Sequence, residues 1–80
     1  MSRARDVVEV VARALAATPA GVSVTEVERR GNTVVELTMA PGELGRVIGR
    51  EGRTATALRT LAAAAGELDG RKVVVDFHDE

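Results

Sequence analysis

The sequence predicts an α+β fold of order α-β-β-α-α-β, with helices covering one face of a three-stranded sheet. Three observations predict it. An amphipathic stripe opens the chain, two β-branched runs separated by turn residues follow, and two helical segments split by glycines precede a last β-branched run. With 80 residues the chain falls below the usual domain size of ~100 to 150, so residues 1–80 are expected to form one domain.

The first helix is expected over residues 3–17, where Ala4, Val8, Val11 and Leu15, with Val7 and Ala14 beside them, recur at helical spacing. Ser2 is its cap, and Thr18-Pro19 followed by Ala20-Gly21 ends it, since the residue before a proline avoids the helical region. Residues 22–28, Val22-Ser23-Val24-Thr25-Glu26-Val27-Glu28, read as a strand, and Arg29-Arg30-Gly31-Asn32 as a turn. Residues 33–39 alternate, with Val35, Leu37 and Met39 on one face and Val34, Glu36 and Thr38 on the other, which pairs the two runs as a hairpin. Ala40-Pro41-Gly42 breaks the strand, and Glu43 to Ile48 makes one or two helical turns whose positive start Glu43 complements. After Gly49-Arg50-Glu51-Gly52 a stronger helix runs from Arg53 to Ala65, with Ala55, Leu58, Leu61, Ala62 and Ala65 on one side and Gly66 as C-cap. The final strand covers residues 71–77, where Val73, Val75 and Phe77 share a face opposite Val74.

Composition narrows the function. Hydrophobic residues make up 45% and charged residues 29% of the chain, the balance of a folded rather than a disordered protein. The absence of cysteine removes disulfides and thiolate metal sites and favours a cytoplasmic setting. Glu9 and Arg13 interrupt the opening segment, so neither a signal-peptide core nor a membrane span can be drawn. A single aromatic, Phe77, argues against nucleic-acid modules that stack bases on sheet aromatics. Net charge is −1, yet residues 44–66 carry four Arg against Glu51 alone, a basic segment between acidic ends.

That segment carries the functional signal. Two helices joined by four residues, two of them glycine, need a sharp reversal with exposed backbone. The second helix starts at Gly52, where its free N–H groups and dipole favour an anion, and Arg50 and Arg53 add charge to the same spot. Leu44, Val47 and Ile48 from the short helix supply an apolar floor, so phosphates would rest on the loop and bases on aliphatic carbon.

Val47-Ile48-Gly49-Arg50-Glu51-Gly52, framed by Leu44-Gly45-Arg46 and Arg53-Thr54-Ala55, resembles the VIGxxG signature of the KH domain, whose GXXG loop clamps about four nucleotides. The element order resembles the type II, bacterial variant over essentially the whole chain, and at this length is most similar to the single-domain KhpA family. The resemblance implies cytoplasmic binding of single-stranded RNA, self-association as a homodimer, and pairing with a second KH-containing protein known as KhpB. It implies phosphate contact at Gly49, Arg50, Glu51 and Gly52 and a groove floor at Val47 and Ile48, in a groove formed by the two central helices, the GXXG loop and the sheet edge. Electrostatics add Arg46 and Arg53. Glu51 departs from the related loops, which often carry a basic or neutral residue there. A carboxylate facing phosphate is repelled; turned away, it favours the helix start or pairs with an Arg. With two or three Arg on phosphates, affinity for a single strand is expected to fall with salt at a log–log slope of about −1.4 to −2.1.

Other chemistries fail on spacing. Gly45, Gly49 and Gly52 lack the Walker A spacing and its Lys-Ser/Thr pair, and they follow a helix rather than the strand a dinucleotide fingerprint needs. His78 with Asp76, Asp79 and Glu80 reads as a frayed acidic terminus rather than a metal site. Ser2 and Ser23 have no base partner, so no catalysis and no cofactor are expected. The stripe of Val8, Val11 and Leu15 reads as core, and Arg29-Arg30 as a solvated turn. The alternative function is a protein-interaction or dimerisation module that keeps this fold with weak or no RNA binding.

Overall fold

The computed structural model describes residues 2–79. Helix α1 (Arg3–Leu15) starts where the Arg5 amide donates to Ser2 Oγ at 3.1 Å, which satisfies one of the free N–H groups of the first turn. It stops two residues before the expected end, with Ala16 already extended, and a short turn at Pro19–Gly21 completes the reversal. Strands β1 (Ser23–Arg29) and β2 (Asn32–Met39) pair antiparallel from Arg29 opposite Asn32 to Ser23 opposite Thr38. Arg30 and Gly31, at φ 52° and 82°, form the two-residue loop whose twist matches the strands it joins.

Helices α2 (Gly45–Ile48) and α3 (Arg53–Leu68) follow, and β3 (Val73–Asp79) lies parallel to β2, from Val73 opposite Thr33 to Asp79 opposite Met39. The sheet order is β1-β2-β3, so β3 is an edge strand. The fold is therefore the expected α+β arrangement, with helices against one face. Val35, Leu37 and Met39 of β2 are fully buried beneath Val8 of α1 and Leu58 and Ala62 of α3, and Val75 joins them from β3.

The core differs from the sequence reading in three places. On α1 the buried stripe is Ala4, Val8 and Ala12, while Leu15 stands partly in solvent, because the helix lies on its small residues close to α3. On α3 Leu61 is 53% exposed instead of buried, and the inward row is Ala55, Leu58, Ala62 and Ala65. Gly66 is not the cap of α3 but a buried position inside it. A Cβ there would stand 2.3 Å from Val73 Cγ2, so glycine is what lets helix and strand approach, and the chain turns at Gly70, φ 69°. β3 also continues to Asp79, so Asp76, His78 and Asp79 are ordered strand rather than a frayed end; Glu80 lies outside the described residues.

Candidate nucleic-acid interface

The loop between α2 and α3 is held from both sides. The Glu43 carboxylate accepts from the backbone N–H groups of Ala17 (2.9 Å) and Thr18 (3.2 Å), so it ties the approach to α2 onto the end of the α1 segment instead of complementing the α2 start. The Thr18 amide, more than any other neighbour, holds this carboxyl below its usual range, with the Ala17 amide and Arg46 acting in the same direction against desolvation. At the other side the Gly49 N–H donates to the Gly45 carbonyl (2.9 Å) and the Gly52 N–H to the Gly49 carbonyl (3.2 Å).

The two glycines do different work. Gly49 sits at φ 74°, ψ 177°, a region only glycine enters freely, and a Cβ on it would lie 2.3 Å from Thr54 Oγ1 and 2.7 Å from Thr54 Cβ. It packs the loop against the first turn of α3. Gly52, at φ 73°, ψ 13°, faces open space, with nothing within 4 Å of an added Cβ. Backbone there is approachable, which is what a phosphate at the start of α3 requires. Between them Glu51 takes the left-handed conformation, φ 56°, ψ 23°, and turns its carboxylate to Arg53 at 2.8 Å. Both side chains are over two-thirds exposed (67% and 79%), so the pair contributes at most about 1 kcal/mol and an incoming phosphate can displace it. Arg46 and Arg50 are exposed and make no ion pair among the described residues.

The apolar floor is narrower than expected. Val47 has no accessible surface and belongs to the core, where it supports α2 from beneath; Ile48 and Leu44 keep partial exposure beside the loop. A groove does open between α3 and the sheet edge, as expected, but its lining is one that the sequence reading did not single out. Thr56, Arg59, Thr60 and Ala63, one helical face of α3, line about 390 Å³ against Val73, Val74 and Val75 on the β3 edge. Past Ala63 and Val73 it continues into a second hollow of about 540 Å³ bounded by Glu67, Arg71 and Lys72. The spacing of Thr56, Thr60 and Ala63 opposite the buried Leu58 and Ala62 was the available signal, but the β3 edge opposite it is a tertiary fact.

On the open face of the sheet, Glu36, Asp76 and His78 bring ligand atoms within 4.8 Å of one another. Arg29 Nη2 lies 3.5 Å and His78 Nε2 3.9 Å from Glu36 Oε2.

Comparison with known proteins agrees with this geometry. Residues 5–77 match the family model described as "KhpA/KhpB, KH domain". An "RNA-binding protein KhpA" from Aquifex aeolicus is 45% identical over 77 residues, covering 96% of this chain and 98% of the relative. One of the same description from Mycobacterium tuberculosis is 46% identical over 74 residues, covering 92% and 89% respectively. Among solved structures, "Era in complex with MgGDPNP and nucleotides 1506-1542 of 16S ribosomal RNA" superposes with a TM-score of 0.64 at 22% identity over 95% of this chain. This chain spans 29% of that one, and the likeness is one of fold. A family match over nearly every described residue, on an α-β-β-α-α-β frame with its glycine loop between two helices, places this chain in the KhpA/KhpB family of type II KH domains.

Proposed function

We propose that this protein is a cytoplasmic binder of single-stranded RNA, without enzymatic activity, acting as an RNA chaperone or post-transcriptional regulator. Phosphates rest on Gly49, Arg50, Glu51 and Gly52, with Arg46 and Arg53 supplying charge; Ile48, backed by Val47, is the apolar neighbour, and bases enter the α3–β3 groove. The carrying observation is the open backbone at Gly52, near Arg50, which makes no ion pair among the described residues, and one helical turn before Thr56 of that groove. No helix among the described residues is long and apolar enough to cross a membrane. The names of the KhpA relatives, RNA-binding proteins, support RNA as the ligand.

The test is the paired change Arg50→Asp with Glu51→Asp. Both side chains are exposed, so the fold persists, while two anions at the loop abolish binding. Unchanged affinity would remove the loop from the site. A second role rests on a separate observation: α3 exposes Leu61 (53%) and Leu68 (73%). Two exposed leucines seven positions apart, and so on one side of the helix, suit a homodimer or a KhpB-like partner. Sedimentation across a wide concentration range reads the dimer; a monomer throughout would reserve that face for a different chain.

A further inference from the structure

Arg59 stands apart from the other cations near the loop. Its guanidinium lies 4.7 Å from the centre of the Phe77 ring, the single aromatic of the chain, and it makes no ion pair among the described residues. It also lines the α3–β3 groove, whose other walls are the methyl groups of Ala63, Val73 and Val75 and the Thr56 and Thr60 side chains. The Thr60 hydroxyl is already used, donating to the Thr56 carbonyl at 3.0 Å. The strongest donor in the groove is therefore a planar fork of N–H groups, held near the Phe77 ring and bordered by aliphatic side chains.

We infer that Arg59 reads one base of the bound strand, selecting bases with two adjacent hydrogen-bond acceptors, guanine or cytosine, over adenine and uracil. The inference rests on the RNA-binding reading of the loop and extends it to base choice. Arg59 lies seven positions beyond Gly52 along α3, about 10 Å of helix rise, within the reach of the four nucleotides such a loop clamps. A strand held there by its phosphates lays a base across the groove mouth. Guanine offers O6 and N7, and cytosine offers O2 and N3, as neighbouring acceptors that match the fork. Adenine and uracil offer no such adjacent pair: adenine N1 and N7 each stand beside the N6 amino group and uracil O2 and O4 flank the N3–H, so one guanidinium N–H would face an N–H or find no acceptor. The cation–π contact with Phe77 restrains the guanidinium, which lowers the ordering cost of the contact.

The experiment uses the whole protein and four RNA heptamers of uridines whose central position is G, C, A or U, with affinity measured by fluorescence anisotropy at fixed salt. The G and C strands are expected to bind about fivefold or more tighter than the A and U strands. In Arg59→Lys, which keeps the charge without the fork, the ratio between strands falls to about one. In Phe77→Leu, verified as folded by its melting curve, the ratio shrinks. Equal affinity for all four strands, or an unchanged ratio in Arg59→Lys, would overturn the assignment while leaving the loop reading intact. Failure of every strand to bind would overturn both.

Discussion

Replacing Gly49 by alanine should damage this protein far more than the same change at Gly52, although both glycines have positive φ and bound one four-residue loop. At Gly49 the backbone lies at φ 74°, ψ 177°, where a side chain costs about 1–3 kcal/mol. The new Cβ would also meet Thr54, 2.3 Å from Oγ1, 2.7 Å from Cβ and 3.2 Å from the backbone nitrogen. Rotating the hydroxyl relieves only the first of these, so the start of α3 must shift, and overpacking of this kind adds about 1–3 kcal/mol. The total of about 2–6 kcal/mol is a large share of the roughly 4–12 kcal/mol available to a chain this short. At Gly52 only the left-handed conformation must be met, at about 1–2 kcal/mol. Thermal unfolding followed by circular dichroism reads both variants. At about 4–8 °C per kcal/mol, Gly52→Ala should melt about 4–16 °C lower than the parent, and Gly49→Ala further still or not fold. A Gly49→Ala protein as stable as Gly52→Ala would refute the close approach of loop and α3.

Three further outcomes follow from the same geometry. Gly66→Ala places a Cβ 2.3 Å from Val73 Cγ2 and 3.1 Å from the Arg71 carbonyl, so despite alanine's better helix propensity the variant should lose about 1 kcal/mol or more in urea unfolding. The Glu43 carboxyl titrates below its usual range in the folded chain, so its charge stabilises the fold above that range and the benefit is lost as pH falls through the depressed value. Glu43→Gln should accordingly be less stable than the parent at neutral pH and equal to it at the acid end; a gap independent of pH would show that the Ala17 and Thr18 contacts gain nothing from charge. Glu51→Gln frees Arg53 and removes an anion from the phosphate site, so RNA affinity should rise severalfold at low salt and converge with the parent at high salt.

The elements were legible where local chemistry decides them. Ser2 as a cap, the Arg30-Gly31 turn and the alternation of Val35, Leu37 and Met39 depend on neighbours within a few positions, and periodicity reads such neighbours directly. Burial of one helix face over another was not legible. Leu61 and Leu15 are larger than Ala62 and Ala12 and were the natural core candidates, but α1 and α3 approach on their alanines and leave both leucines partly or largely exposed. Gly66 misled for a related reason, since a glycine near a helix end usually marks the cap, and here Val73 needed the space. At the site, the glycine loop stood out in sequence because its backbone demands are local. The groove was legible as a place between the central helices and a sheet edge but not in its lining, because its second wall is β3, an edge strand only once β2 takes the central place in the sheet.

The account stands on RNA meeting the loop and the α3–β3 groove together. The most direct test is a titration of the folded protein with a mixed-sequence single-stranded RNA, followed by backbone amide NMR shifts at low and physiological salt. Shifts should gather on Ile48 to Arg53, on Thr56, Arg59 and Thr60, and on Val73 to Val75, and weaken with salt at a log–log slope of about −1.4 to −2.1. Shifts confined to the outer face of α3 around Leu61 and Leu68, or none at millimolar RNA, would contradict it.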